Sequence, residues 1–238
     1  TTLLTSLSRS LNKGNTTVAG GYSFSFNQPT LHPDETTERQ YAHDASLSVT
    51  HTLSKSTVVQ LGYGFAQING YQDNPFLRAR VNDQLTLGTS PDSRKRQTLS
   101  LRLRQALPAD TFLEVDYRRY FDDWQIHSSA VGVGLSHYFT RQLLANVSYR
   151  WYQQTGAFFY QPSYLGNPEY FTSDFRLVPF DSGLYSGRLV LTPRNGLWGW
   201  REGARATLQY ERYRTNSGFD AAIFTAGLRI PLGGGKSP

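Results

Sequence analysis

Within QTLSLRLRQAL, residues 97–107, Leu99, Leu101, Leu103 and Leu107 hold one set of alternating positions, and Ser100, Arg102 and Arg104 hold the other. A helix scatters such leucines around its axis, whereas a strand gathers them on one side with period two. The same alternation recurs in TFLEVDYRRYF, residues 111–121, with Leu113, Val115, Tyr117 and Phe121 set against Glu114, Asp116 and Arg118. QLLANVSYRWY, residues 142–152, repeats it, with Leu143, Ala145, Val147, Tyr149 and Trp151 opposite Asn146, Ser148 and Arg150. Further segments lie at 2–12, 16–27, 44–53, 57–68, 126–139, 183–193, 203–214 and 220–232, which makes eleven in all.

Strands of a soluble sandwich average about five or six residues, while these run about ten, the length of a tilted strand crossing a bilayer. No stretch of about 18 apolar residues exists that could cross as a helix, and mean hydropathy is -0.48. Tyr (15) nearly equals Phe (14), a balance suited to rings at the boundary between lipid and water. The pattern therefore predicts an all-β chain, a single domain over residues 1–238, folded as an antiparallel up-and-down transmembrane β-barrel in a bacterial outer membrane.

The connections alternate in length. Those at 13–15, 54–56, 108–110 and 140–142 are tight, whereas 28–43, 69–95 and 155–182 are long, as periplasmic turns and external loops alternate in such barrels. The stretch 194–202, RNGLWGWRE, is long for the tight set, and its Trp198 and Trp200 read as interfacial anchors. Eleven segments place the two ends on opposite sides. Because single-chain bacterial barrels have an even strand number, the expectation is about 12 strands, within 10 to 16, with at least one N-terminal strand missing. The chain opens on Thr1 with neither an initiator Met nor an apolar leader, and so reads as a chain whose signal peptide has been removed.

With no Cys there is no disulfide framework, thiolate zinc site or cysteine nucleophile. His32, His43, His51 and His137 show no metal-ligand spacing, so no metal and no cofactor is expected. Asp122, Asp123 and His127 could be read as a catalytic carboxylate and imidazole set. An Asp-Asp-Trp turn more often caps itself and pairs with a nearby Arg, and the chain is not expected to be an enzyme. Net charge is +6 with pI ≈ 9.5. The only dense basic run is SRKRQ at 93–97, which reads as a solvated loop or a contact to lipopolysaccharide phosphates rather than to nucleic acid.

The polar face carries Arg102, Arg104, Arg118, Arg150, Arg188, Arg205 and Arg229 against Glu114, Asp116 and Glu211. Such a lining favours anionic solutes, or else locks the barrel through ion pairs across its interior. Two stretches, YRRYFDDWQIHSS at 117–129 and YRWYQQTGAFFY at 149–160, each begin Tyr-Arg-x-Tyr. They place Arg118 with Tyr120, and Arg150 with Tyr152, on the lumen side near the external mouth. Asp122, Asp123, Trp124, His127 and Gln153 are further candidates at that mouth.

These two motifs, with NPFLRARV at 74–81, resemble those of an uncharacterised family of Gram-negative outer-membrane barrels, catalogued as a domain of unknown function. That family shows a YRYY-x-DDW-like segment followed by a YRYY-x-Q-x-x-A-x-FY-like one. Here Asp122, Asp123 and Trp124 match the first, and Ala157, Phe159 and Tyr160 the second. The resemblance implies the barrel fold and a setting among outer-membrane lipid and lipopolysaccharide, and is silent on activity. Two functions from different classes follow: a porin-like channel or export conduit for small anions, gated by the loops at 69–95 and 155–182, or a non-conducting barrel that docks an envelope protein partner.

Overall fold

The computed structural model describes residues 1–31, 36–193 and 203–230. Eleven strands form one antiparallel sheet in which chain neighbours are sheet neighbours. These are β1 (Thr2–Leu11), β2 (Thr16–Asn27), β5 (Gln40–Ser54), β6 (Thr57–Gly70), β9 (Ser93–Leu107), β10 (Thr111–Asp122), β11 (His127–Tyr138), β12 (Leu143–Gln154), β13 (Phe180–Leu191), β14 (Arg205–Thr215) and β15 (Asp220–Arg229). Two small hairpins lie in the connections, β3 (Thr30–Leu31) with β4 (Thr36–Thr37), and β7 (Arg78–Val81) with β8 (Gln84–Leu87). Among the described residues β1 pairs only with β2 and β15 only with β14, so both sheet edges stand unpaired. Trp198 and Trp200 fall outside the described residues.

Register turns the alternation of each strand into two continuous faces. Leu61 stands opposite Leu101, Leu101 opposite Tyr117, Tyr117 opposite Val131, and Val131 opposite Trp151. Val59, Leu103, Val115, Val133, Tyr149 and Tyr185 form the next such row. None of the described residues packs over this apolar face: Leu61 is 55%, Val147 59%, Leu208 51% and Leu228 63% exposed. So much contiguous apolar surface is foreign to a soluble monomer.

The opposite face, here the inner face, holds small and charged residues. Gly62 admits the Ser100 side chain, because a Cβ there would lie 2.5 Å from its hydroxyl. Gly132 likewise makes room for Asp116 Oδ1, which a Cβ would meet at 2.4 Å. Two of the tight turns at one end of the sheet are left-handed, with positive φ at Asn12, Lys13, Ala109 and Asp110, the geometry that suits the right-handed twist of paired strands. The long connections gather at the other end, and the main buried cluster, Trp124, Ile126, Ala157, Phe159 and Leu177, sits there rather than against the sheet faces.

Candidate functional site

The loop end is organised by Asp122, the last residue of β10. Its carboxylate accepts hydrogen bonds from Arg94 Nε at 2.9 Å, Arg94 Nη2 at 2.5 Å, Tyr120 Oη at 2.6 Å and the Ile126 amide at 2.9 Å. Its side chain is fully buried and that of Arg94 is 10% exposed. The Arg94 guanidinium lies 4.3 Å from the centroid of Trp124, whose indole N–H donates to the Ser93 carbonyl at 2.9 Å. Asp123 accepts from the Lys95 amide at 3.0 Å. The Asp-Asp-Trp turn is thus tied back to the start of β9.

This arrangement corrects the reading of SRKRQ as a solvated loop. Its residues belong to β9, and the strand pleat sends Arg94 and Arg96 to the inner face while Lys95 goes to the outer one. Arg102, Arg104, Arg118, Tyr120, Asp122, Arg150, Tyr152, Arg188, Arg205 and Arg229 share the inner face by register. His127 and Gln153 stand opposite Phe121 and Ser129 on the outer face, so neither shares the face that carries Asp122 and the arginines. Asp122 and His127 therefore leave the sheet on opposite sides, and its charge partners are already taken.

The inner arginines fall into three groups. Arg102 and Arg104 share Glu114, at 3.7 and 2.6 Å. Arg205 lies directly opposite Arg229 near the turn end, and Arg188 opposite Gln209 one ladder inward. Arg94, Arg96, Arg118 and Arg150 line a cavity of ≈ 990 Å³ at the loop end, with Tyr120 and Tyr152. Tyr152 Oη donates to Gln154 at 2.6 Å, which fixes its ring as Asp122 fixes that of Tyr120. Apart from Arg94, these cavity arginines have no carboxylate of the described residues within 4.0 Å.

Residues that sequence reasoning missed also line this cavity. The connection 71–92 supplies Tyr71, Gln72 and Asp73, and the connection 155–179 supplies Asp174, Arg176 and Leu177. The two are stitched together: Val81 bridges Tyr164, Thr89 bridges Phe171, and the Asn82 amide side chain donates to the Gly166 carbonyl at 2.7 Å while accepting from the Gly166 amide at 2.8 Å. Gln154 reaches up from β12 to donate to the Arg176 and Val178 carbonyls at 3.0 and 2.6 Å. Burial pushes the Asp174 carboxyl up, but hydrogen bonds from the Arg176 guanidinium and amide outweigh it and hold Asp174 below the usual carboxylate range. Burial raises Asp73 above that range, against hydrogen bonds from Ser90. Among the described residues no group of three or more His, Asp or Glu side chains converges to hold a metal ion.

Several outer-membrane proteins share this fold. The chain resembles OmpT lacking loop L8, from Vibrio cholerae, at TM-score 0.53 and 12% identity, covering 91% of this chain and 79% of that one. In-vitro-folded OmpT of the same organism gives TM-score 0.50 and 13% identity, over 91% and 76%. BamA of Haemophilus ducreyi lacking POTRA domains 1–3 gives TM-score 0.50 and 7% identity, over 90% of this chain and 49% of that one. No curated protein matches the sequence. Residues 5–217 match the model of a family described as a protein of unknown function, DUF3570.

Proposed function

The chain belongs to the DUF3570 family, and from that premise we propose that it is a non-enzymatic outer-membrane barrel whose basic interior conducts small anionic solutes. Lipid covers the apolar face, since unpaired backbone and polar side chains cannot face hydrocarbon while rows such as Leu61, Leu101 and Val131 can. The unpaired edges of β1 and β15 support closure through additional strand pairing, to about 12 strands, because an open edge within a bilayer leaves its amides and carbonyls unsatisfied. Lys95 and Arg119, outward near the loop end, suit the phosphates of lipopolysaccharide. The stitched connections act as the constriction.

The observation that carries the reading is the set Arg96, Arg118 and Arg150 around one cavity, without a carboxylate of the described residues within 4.0 Å. Unpaired guanidinium groups in a confined space attract anions and repel cations. Reversal potentials of the refolded protein in planar bilayers under a KCl gradient test it. Selectivity for chloride over potassium is expected, falling in Arg118→Gln; selectivity for potassium would overturn the anion reading.

The second reading, a docking barrel, draws on the same cap, since connections bound to each other by paired backbone groups can seal a mouth as well as narrow it. A refolded protein that never conducts and co-purifies with one stoichiometric envelope partner favours that reading over the conduit.

A further inference from the structure

We propose that the loop-end cavity is a binding site for a small hydroxylated anion, a sugar phosphate or sugar acid, rather than only a stretch of the path. The inference rests on the interior being water-filled and reachable, as the conduit reading requires.

The cavity has two kinds of wall. The sheet supplies cations: Arg96 from β9, Arg118 from β10 and Arg150 from β12. Arg94 and Arg176 also border it, but Asp122 and Asp174 neutralise them, which leaves three guanidinium groups against the single carboxylate of Asp73. The connection after β6 supplies acceptors, Gln72 and Asp73.

Two residues lining this cavity each carry a buried atom with no hydrogen-bond partner among the described residues, Arg96 Nε and Gln72 Oε1. Gln72 spends its amide N–H on the Pro91 carbonyl at 3.2 Å, and none of the described residues donates to its oxygen. An unsatisfied buried group costs about 1–3 kcal/mol, and here one orphan is a donor on a cation and the other an acceptor on a neutral amide. A ligand answering both carries an acceptor-rich anionic group at one end and O–H donors at the other. Guanidinium matches phosphate and carboxylate in fork geometry. The donor end is hydroxyl rather than ammonium, because the excess of two positive charges repels a cation. A cavity of ≈ 990 Å³ lies at the upper end of small-molecule sites and accommodates a phosphorylated monosaccharide with its water.

Calorimetric titration of the refolded full chain in detergent, with glucose 6-phosphate, inorganic phosphate, glucose and γ-aminobutyrate as probes, tests this. Glucose 6-phosphate is expected to bind at least about ten-fold more tightly than phosphate, with no binding of glucose or γ-aminobutyrate. Arg96→Gln should abolish binding of the sugar phosphate. Gln72→Leu should reduce it to the level of phosphate while leaving phosphate itself unchanged, a split that general loosening of the loops would not give. If Arg96→Gln fails to refold, judged by gel mobility in cold detergent, Arg150→Gln reads the same loss. Equal affinity for phosphate and glucose 6-phosphate, an unaltered sugar phosphate affinity in Gln72→Leu, or tightest binding of γ-aminobutyrate would each overturn the site. Anion-selective conductance without retention of the sugar phosphate leaves the conduit standing and removes the site; retention without conductance does the reverse.

Discussion

Asp122 is the residue on which the loop end turns. It stands in no contact with an imidazole, and both carboxylate oxygens are occupied by Arg94, Tyr120 and the Ile126 amide. An acid so committed fastens the turn to the start of β9. Asp122→Asn keeps the shape but leaves the Arg94 guanidinium, 10% exposed, without its counter-charge. Stranding a buried charge costs on the order of 3 kcal/mol. Urea unfolding of the refolded variant in lipid vesicles should show a loss of that size. An unchanged midpoint, with some hydrolytic activity of the wild type abolished, would return Asp122 to the catalytic role that its pairing with Asp123 and His127 first suggests.

At the scale of elements, the connection 155–179 behaves as a built part rather than a tether. Tyr164 Oη accepts from the Gln161 and Thr172 amides, at 3.1 and 2.9 Å, and donates toward the Phe159 and Thr172 carbonyls, at 3.1 Å each. Tyr164→Phe orphans the buried Thr172 amide at a cost of about 2 kcal/mol. It should raise protease cleavage within 155–179 while the sheet keeps its cold-detergent mobility; no change in cleavage would mean that the bridge to β7 holds the connection alone. The eleven long strands are legible in the sequence because each carries its own two-residue period, as in Leu99, Leu101 and Leu103. The hairpin β7–β8 is hidden inside the expected loop 69–95, since RARV and QLTL are four residues each. Its signal was the Asn82–Asp83 pair, which takes positive φ at 49° and 63°, as a two-residue hairpin turn requires. The loop side of the cavity was not legible. Arg94 meets Asp122 across 28 residues, and Gln72, Gln154 and Asp174 join the site only through contacts between connections that no local period encodes. For the same reason the reading of 93–97 as a solvated loop fails: composition marks the run basic, but only the pleat of β9 divides it between faces.

At the scale of the molecule, the sheet has one apolar face that none of the described residues covers and one face of arginine, serine and glycine, and its main buried cluster lies at an end. A water-soluble fold inverts this, with apolar rows inward and arginines outward. The absence of cysteine makes the distinction measurable with single introduced thiols at neighbouring positions. Leu101→Cys and Ser100→Cys differ by one residue and by one face. After refolding into vesicles, a fluorophore on Cys at 101 should be quenched by brominated lipid tails, while Cys at 100 should react with a water-soluble maleimide and escape that quenching. Quenching at 100 with aqueous reactivity at 101, or no quenching at either, would contradict the account.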